Sequence, residues 1–184
     1  REWIEIEQQS KALRWYEMAW VPGLLQTEGY ARAVFATDGR LSAEEIEVRV
    51  AARLGRQRML LGDSPPHFVG IVDEAVLRRA VGGSAVMREQ LFHLVRLNEE
   101  HRRVRIHVVP ASVGTYSGLD GPLILATLPE GGEIGYLDNR LRGVTVNRPA
   151  EIADIREYWE ATLAEAMTLH QSTELIREVA KTWI

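Results

Sequence analysis

Apolar residues recur at the three- and four-residue spacing of an amphipathic helix in five segments of the chain. Four of these segments begin with a helix start signal. Three have an N-cap candidate, which is Thr27, Ser42 or Ser84, and the fourth has Pro149 in its first turn. Glu45 follows Ser42 at the spacing of a capping box. The fifth segment is predicted to start after the polar triplet QST near the end of the chain. The predicted helical faces are Tyr30, Ala31, Val34 and Phe35; Ile46, Val50 and Leu54; Met87, Leu91, Leu94 and Val95; Ile152, Ile155, Trp159 and Leu163; and Leu175, Ile176, Val179 and Trp183.

Short apolar runs and alternating patterns predict strands between these helices. Residues 1–12 favour a short helix, whereas the aromatic-rich run ALRWYEMAWV that follows is also compatible with an extended segment. This order of elements predicts an α+β fold in which several helices pack on a small, mostly antiparallel sheet. We take residues 1–184 as one domain, with residues 1–22 as a candidate linking arm. The predicted strands lie at 67–72, 104–109, 122–128, 133–139 and 143–147.

Composition narrows the class of protein. The 184-residue chain is 46% apolar and 26% charged, which is typical of a globular protein. Its formal net charge of −4 argues against a general nucleic-acid binder, because phosphate contact usually needs a basic surface. We find no apolar run of about 20 residues and no secretory signal, so we expect a cytoplasmic protein without a membrane partner. Cysteine is absent, which excludes disulfides, thiolate metal sites and a cysteine nucleophile.

Candidate catalytic and ligand groups are sparse. The five histidines lack the spacing of a metal-binding motif, and the sequence predicts neither a metal site nor a cofactor. Asp73 and Glu74 end a predicted strand, where ligand sites often lie. The same position suits an Asp that caps the next helix, which is the role we favour. In the loop at 111–121, Tyr116 either covers a pocket or fills space in the core.

One basic stripe stands out on the second predicted helix. The stripe either contacts nucleic-acid phosphate or an acidic partner, or is solvated, and its members are Arg49, Arg53, Arg56 and Arg58. We favour the solvated face, because carboxylates on the same helix offer partners one turn away. These carboxylates are Glu44, Glu45 and Glu47.

Several motifs along the chain occur together in a fixed order. They are Trp3, Glu7, Ala12 and Tyr16, then VPGLLQT at 21–27 and YARA at 30–33, then Arg49, Arg53 and Gln57, then VDEAVLRRAVGG at 72–83, then Met87, Gln90, Leu91 and Leu94, and finally IHVVP at 106–110 with Gly114 and a Gly-Pro pair. In this order they resemble the uncharacterised C-terminal domain of actinobacterial Xre-family helix-turn-helix regulators. The likeness covers nearly the whole chain.

The resemblance implies a transcription regulator in which this chain is the C-terminal sensing, dimerising or partner-binding domain. We expect the N-terminal DNA-binding domain to be missing, because almost nothing precedes Trp3 and the first residue is Arg1 rather than Met. No catalytic residues come with the resemblance, so we expect a protein that is not an enzyme. It would be a homodimer that reaches DNA only through the absent domain and responds to a small-molecule effector.

Two other functions remain open, and each uses different residues. A protein-interaction module would bind a small partner protein, as in an antitoxin-like pair. An enzyme would need a cluster of polar groups to converge on a pocket. The candidates for that cluster are Asp73, Glu74, Arg78, Tyr116 and Arg140. The last helix, with Trp183, is either a dimer surface or, as we favour, docked on its own domain.

For a sensing domain, the candidate ligand-binding residues are Trp15, Trp20, Leu24, Gln26, Tyr30, Asp73, Arg78, Tyr116 and Arg140.

Overall fold

A computed structural model describes residues 2–139 and 142–184, and in these residues seven α-helices surround one six-stranded sheet. The predicted α+β class is confirmed. None of the helices in these two ranges combines the length and apolar character needed to cross a lipid bilayer. The helices are α1 (Glu2–Gln9), α2 (Glu28–Ala36), α3 (Ala43–Gln57), α4 (Glu74–Arg78), α5 (Ser84–Glu100), α6 (Pro149–Glu165) and α7 (Leu169–Thr182). The strands are β1 (Ala12–Glu17), β2 (His67–Asp73), β3 (Val104–Val109), β4 (Leu123–Thr127), β5 (Glu133–Leu137) and β6 (Val144–Val146).

The sheet has a parallel half and an antiparallel half that meet at β1. Its strands lie in the order β3-β2-β1-β4-β5-β6. The pairs β1 with β2 and β2 with β3 are parallel, and the pairs β1 with β4, β4 with β5 and β5 with β6 are antiparallel. The sheet is therefore mostly antiparallel by pairing, as predicted, and the earliest strand of the chain lies at its centre.

Helices cover both faces of the sheet, so the core has two parts. Alternate residues of β1 point to opposite faces. Leu13 and Trp15 join a large cluster with residues of α1, α2, α5 and α7, whereas Tyr16 joins a smaller cluster under α6. Gly135 of β5 allows α6 to approach closely, because a Cβ at this position would lie 2.5 Å from Cδ1 of Ile155.

The candidate linking arm at 1–22 is part of the fold throughout its described part. Its aromatic-rich run is extended, which was one of the two alternatives for this stretch, and it forms β1 between β2 and β4. Leu13 and Tyr16 of this strand have no exposed surface. The segment therefore contributes the middle of the sheet as well as any connection to a preceding domain.

Most predicted helix starts are confirmed by their hydrogen bonds. The side chain of Thr27 accepts from a backbone N–H of α2, and Ser42 and Glu45 form the predicted capping box of α3. Asp73 Oδ1 accepts a backbone N–H of α4 at 2.8 Å, as expected of a cap. Pro149 lies in the first turn of α6. These local sequence signals therefore mark true helix starts.

Two helix starts differ from the prediction. Ser84 is already the first residue of α5, and the cap position belongs to Gly83, whose φ of 92° lies in a region that favours glycine. The triplet QST lies inside α7, which begins at Leu169. Thr168 and Gln171 form a capping box there, so the polar residues that looked like a break are the start of the helix.

Two apolar faces are narrower than their spacing indicated. Leu163 of α6 is exposed, and Thr162 takes the buried position beside it. Burial of this hydroxyl is tolerated because it donates to the carbonyl oxygen of Tyr158 at 2.8 Å. In α3 only Val50 of the predicted stripe is fully buried.

The last helix docks on its own domain, which is the alternative we favoured. Ile176 and Val179 of α7 are buried, and the helix packs against α5 and β3. The indole N–H of Trp183 donates to the carbonyl oxygen of Leu77 at 3.1 Å. These side chains therefore pack against and hydrogen-bond to residues of their own chain.

The capping box of α7 provides a test of these local signals. Thr168→Ala is expected to lower the free energy of unfolding by about 1 kcal/mol, because it leaves a backbone N–H of the first turn without its acceptor. Urea denaturation measures the change. The matched control is Thr168→Ser, which keeps the hydroxyl and should unfold like the parent; equal losses in both variants would contradict the capping role.

Candidate functional site

A cavity of about 390 Å³ lies on the face of the sheet that carries Trp15, at the carboxyl end of β1. Ligands of open α/β sheets often bind beyond the carboxyl ends of the strands, at the point where the strand order reverses. The volume falls within the range of small-molecule pockets. Its lining includes Trp3, Trp15, Glu17, Trp20, Gln26, Arg53, Arg56, Tyr136 and Asp138.

Aromatic side chains from separate elements form much of the wall. Trp3 of α1 stacks on Tyr136 of β5, with ring centroids 4.6 Å apart and planes inclined by 21°. Trp15 of β1 is 7% exposed, and Trp20, in the segment after β1, is half-buried. The wall is therefore assembled from the start of the chain and from a strand more than one hundred residues away.

Glu17 is a half-buried carboxylate in this aromatic surrounding. It lies two residues after Trp15 on β1, so both side chains face the cavity, and the indole N–H of Trp15 donates to Glu17 Oε1 at 3.1 Å. Burial raises the pKa of Glu17 to about 7; the indole hydrogen bond opposes this rise and the charge of Asp138 adds to it. The carboxyl group therefore titrates near neutral pH.

Arg53 also lines the cavity and is held by uncharged partners. Its guanidinium donates to Gln26 Oε1 at 2.7 Å and lies 4.2 Å from the ring centroid of Phe35. Burial, followed by the charge of Arg56, lowers the pKa of Arg53 to about 10. Gln26 in turn donates to the carbonyl oxygen of Val21 at 2.7 Å, so Arg53 stays protonated at neutral pH in a fixed position.

Arg56 is neutralised from behind the cavity by a buried carboxylate. Its Nε and a terminal nitrogen donate to the two oxygens of Glu7 at 2.9 and 2.7 Å, and Glu7 has no exposed surface. The prediction of a solvated arginine face was therefore wrong for this part of the stripe. Arg53 and Arg56 point inward because α3 packs against the segments that carry Gln26 and Glu7.

A second polar group lies on the other face of the sheet. The hydroxyls of Tyr16 and Tyr116 are 2.8 Å apart, and the hydroxyl of Tyr116 donates to Asp73 Oδ2 at 2.7 Å. Burial raises the pKa of Tyr16 to about 12, and it also raises the pKa of Tyr116, with help from both hydrogen bonds. Asp73 is thus both a helix cap and the anchor of the loop that carries Tyr116.

The nine predicted ligand-binding residues do not form one group. Trp15, Trp20 and Gln26 line the cavity. Leu24 and Tyr30 are buried in the adjoining core, where the Tyr30 hydroxyl accepts from the backbone N–H of Val21 at 3.1 Å. The remaining residues lie elsewhere: Asp73 and Tyr116 form the second polar group, Arg78 pairs with Glu74 at 2.9 Å, and Arg140 lies outside the described residues.

Sequence reasoning missed Trp3, Glu17, Arg53 and Asp138 as cavity residues. For Glu17 a signal was present, because residues two apart on a strand share a face and Trp15 was already a candidate. The other three come from α1, from α3 and from the end of β5, and only the tertiary fold brings them together.

Metal chemistry has no support in the described part of the chain. Across 2–139 and 142–184, no three His, Asp or Glu side chains are grouped so that they could hold a metal ion. Every buried side-chain nitrogen or oxygen in these ranges has a hydrogen-bond partner. The groups available to a ligand are therefore the aromatic rings and the charged side chains that line the cavity.

Comparison with known proteins assigns a family whose function is unknown. No curated protein and no solved structure matches this chain. A family model described as a domain of unknown function, DUF5753, matches residues 1–178. Because the match covers nearly all of the 184 residues, the chain belongs to the DUF5753 family.

Proposed function

We propose that this chain is the ligand-sensing, non-enzymatic regulatory domain of a cytoplasmic Xre-family transcription regulator. The resemblance of its ordered motifs to the C-terminal domain of such regulators supports the family assignment. The observation that carries the sensing role is the cavity wall, in which Trp3 of α1 stacks on Tyr136 of β5. Four aromatic side chains and a half-buried carboxylate suit a small molecule better than a protein surface.

The proposed mechanism uses α1 as the moving part. α1 is the helix next to the position where a preceding DNA-binding domain would join, and its Trp3 is also part of the cavity wall. A ligand that binds better when Trp3 is displaced from Tyr136 shifts the population towards that arrangement. Helix-turn-helix regulators bind paired half-sites as dimers, so a shift of α1 in each subunit of a homodimer changes the spacing of the two DNA-binding domains.

The test uses the full-length regulator and its operator DNA. We expect a deproteinised metabolite extract of the host cells to change operator affinity by at least about fivefold, which is a typical allosteric coupling. Trp20→Ala should abolish much of this response without changing operator affinity in the absence of extract. The matched control is Tyr158→Ala, which removes an exposed aromatic side chain on α6, away from the cavity.

Two results would contradict the proposal. One is an operator affinity that is unaffected by the extract. The other is tight, sequence-specific operator binding by the 184-residue domain alone, measured by gel shift. Analytical ultracentrifugation of the full-length regulator tests the homodimer.

The alternative of a protein-interaction module rests on a different surface. Apolar side chains are exposed at β5, β6 and α6, on the side of the sheet away from the cavity, and they would suit a small partner protein. Substitution of these residues by Ser should then abolish capture of the partner in a pull-down, with no effect of Trp20→Ala. The exposed residues are Leu137, Val144, Tyr158 and Leu163.

A further inference from the structure

We propose that the cavity selects an organic cation, an amine with an apolar or aromatic body, whose ammonium group is held by Glu17 and faces the aromatic wall. This inference rests on the proposed sensing function and specifies its ligand class. It follows from three observations, which are the charge balance of the cavity, the free capacity of the Glu17 carboxylate and the arrangement of the aromatic rings.

Among the described lining residues, the charge balance is negative when Glu17 is ionised. Glu17 and Asp138 are its acidic lining residues, and Arg53 and Arg56 are its basic ones. Arg56 is neutralised by the buried carboxylate of Glu7, at 2.7 Å. Within the described residues of the lining, one cation without a paired carboxylate, Arg53, therefore stands against two carboxylates.

Arg53 is held in place on the cavity wall by uncharged partners. A hydrogen bond to Gln26 Oε1 at 2.7 Å and the ring of Phe35, 4.2 Å from the guanidinium, hold it against the wall. Neither Glu17 nor Asp138 makes an ion pair with any residue in the two described ranges. An incoming cation thus meets carboxylates that make no direct ion pair, although the charge of Arg53 acts on both of them at longer range.

One oxygen of the Glu17 carboxylate accepts no hydrogen bond from the described residues. Oε1 accepts the indole N–H of Trp15, while Oε2 has no hydrogen-bond partner within the described residues. Since no fully buried side-chain oxygen in these ranges lacks a partner, Oε2 is not fully buried, and Glu17 lines the cavity. The bond from Trp15 fixes the orientation of the carboxylate, so a ligand N–H donor meets an acceptor that is already in place.

The aromatic rings suit a positive charge with an apolar body. Trp15 and Trp20 line the cavity together with the stacked pair of Trp3 and Tyr136. The faces of indole and phenol rings attract ammonium groups, and the same rings provide apolar contact for a hydrocarbon body. An anion would lose these contacts and would meet Glu17 and Asp138 as like charges.

The proposed binding depends on pH through Glu17. A bound cation favours the ionised carboxylate, so binding releases a proton when Glu17 starts protonated, and affinity increases as the pH rises through about 7. Arg53, with a pKa of about 10, keeps its charge across this range. The titratable and charged groups around Glu17 are Tyr16, Tyr30, Arg53, Arg56, Glu7 and Asp138.

The experiment compares three probes with the same hydrocarbon body. Phenethylamine is a cation, phenethyl alcohol is neutral and hydrocinnamate is an anion, and calorimetry with tryptophan fluorescence measures their binding to the domain. We expect phenethylamine to bind at least about tenfold more tightly than either of the others. Its affinity should increase roughly tenfold between about pH 6 and about pH 8, because the ionised fraction of Glu17 grows in that range.

Variants separate the carboxylate from the cavity as a whole. Glu17→Gln should weaken phenethylamine binding at least about tenfold and remove its pH dependence, while binding of phenethyl alcohol stays the same. Glu130→Gln is the matched control, because Glu130 is exposed in the turn between β4 and β5 and lies outside the cavity lining. It should bind all three probes like the parent.

Other outcomes overturn the inference in distinct ways. Tighter binding of hydrocinnamate would assign the cavity to anions and to Arg53. Equal binding of amine and alcohol would show that charge is not recognised, and absence of binding by all three probes at millimolar concentration would show that the cavity does not take such amines. If the metabolite extract still acts through Trp20 in any of these cases, the sensing function stands and only the ligand class fails.

Discussion

Arg56→Met is expected to lower the free energy of unfolding by about 3–5 kcal/mol, because it leaves the carboxylate of Glu7 buried without its charge partner. Glu7 has no exposed surface, and both of its oxygens accept from the guanidinium of Arg56. Met preserves most of the apolar length of the arginine, so the loss reports the charge rather than a large cavity.

The matched control is a similar ion pair on the surface. Arg32 also donates through two nitrogens to one carboxylate, that of Glu47, but both side chains are about half exposed, at 40% and 55%. Water and salt screen such a pair, so Arg32→Met should cost far less stability than Arg56→Met. Urea denaturation at neutral pH measures both variants against the parent.

A double variant shows whether the isolated charge is the cause. Glu7→Leu combined with Arg56→Met replaces the pair by apolar groups and should recover most of the lost stability. If Arg56→Met costs no more than Arg32→Met, or if the double variant is as unstable as the single one, the explanation from the buried charge is wrong.

Glu17→Gln is expected to stabilise the unliganded domain by about 2 kcal/mol at about pH 8. The folded-state pKa of Glu17 is raised from 4.5 to about 7, so the folded domain disfavours the ionised carboxylate. Each unit of pKa difference corresponds to about 1.4 kcal/mol, and partial exposure of Glu17 reduces the total. Gln keeps an oxygen for the indole of Trp15 but carries no charge.

The sign of the pH dependence is fixed by this difference in pKa. Below 4.5 the Glu17 carboxyl is protonated in both states, and the variant should match the parent. Between 4.5 and about 7 the folded domain retains a proton that the unfolded chain has lost, so parent stability falls as pH rises, and the penalty is complete above about 7. Urea denaturation across this range should show the advantage of Glu17→Gln growing with pH. Glu130→Gln should show no such trend, and a pH-independent gain in Glu17→Gln would contradict this assignment.

Together these predictions describe a residue that lowers the stability of the folded domain and, under the proposed function, contributes to binding. Glu17→Gln should give a more stable domain that no longer distinguishes an amine from an alcohol. Functional sites commonly retain destabilising groups of this kind. A variant that loses binding while gaining stability cannot owe its loss to unfolding.

Local signals in the sequence predicted much of the fold. The caps at Thr27 and Ser42 and the alternation in β3 depend on neighbouring residues, and the structure confirms them. The position of β1 depends on pairing with β2 and β4, which are distant along the chain, so the pattern left both a helix and a strand open there. The QST triplet was misread because a capping box and a chain break use similar polar residues.

The candidate site was less predictable because it is a tertiary assembly. Aromatic density near the start of the chain correctly pointed to Trp15 and Trp20 as cavity residues. Asp73 and Tyr116 looked like members of the same pocket, but they project from the opposite face of the sheet. Arg53 appeared to be a surface residue, since nothing in its helix reveals that Gln26 will lie 2.7 Å away.

The central position of β1 also bears on how the domain folds during synthesis. β1 leaves the ribosome first, but its parallel neighbour begins at His67, and its antiparallel neighbour ends at Thr127. Until β2 is made, the strand that carries Leu13 and Tyr16 has no native partner strand, and until β4 is made one of its edges stays unpaired. This delay exposes the nascent chain to mispairing and to chaperones. Because β1 and β4 both line the cavity, the cavity is completed only late in translation, after most of the domain has left the ribosome.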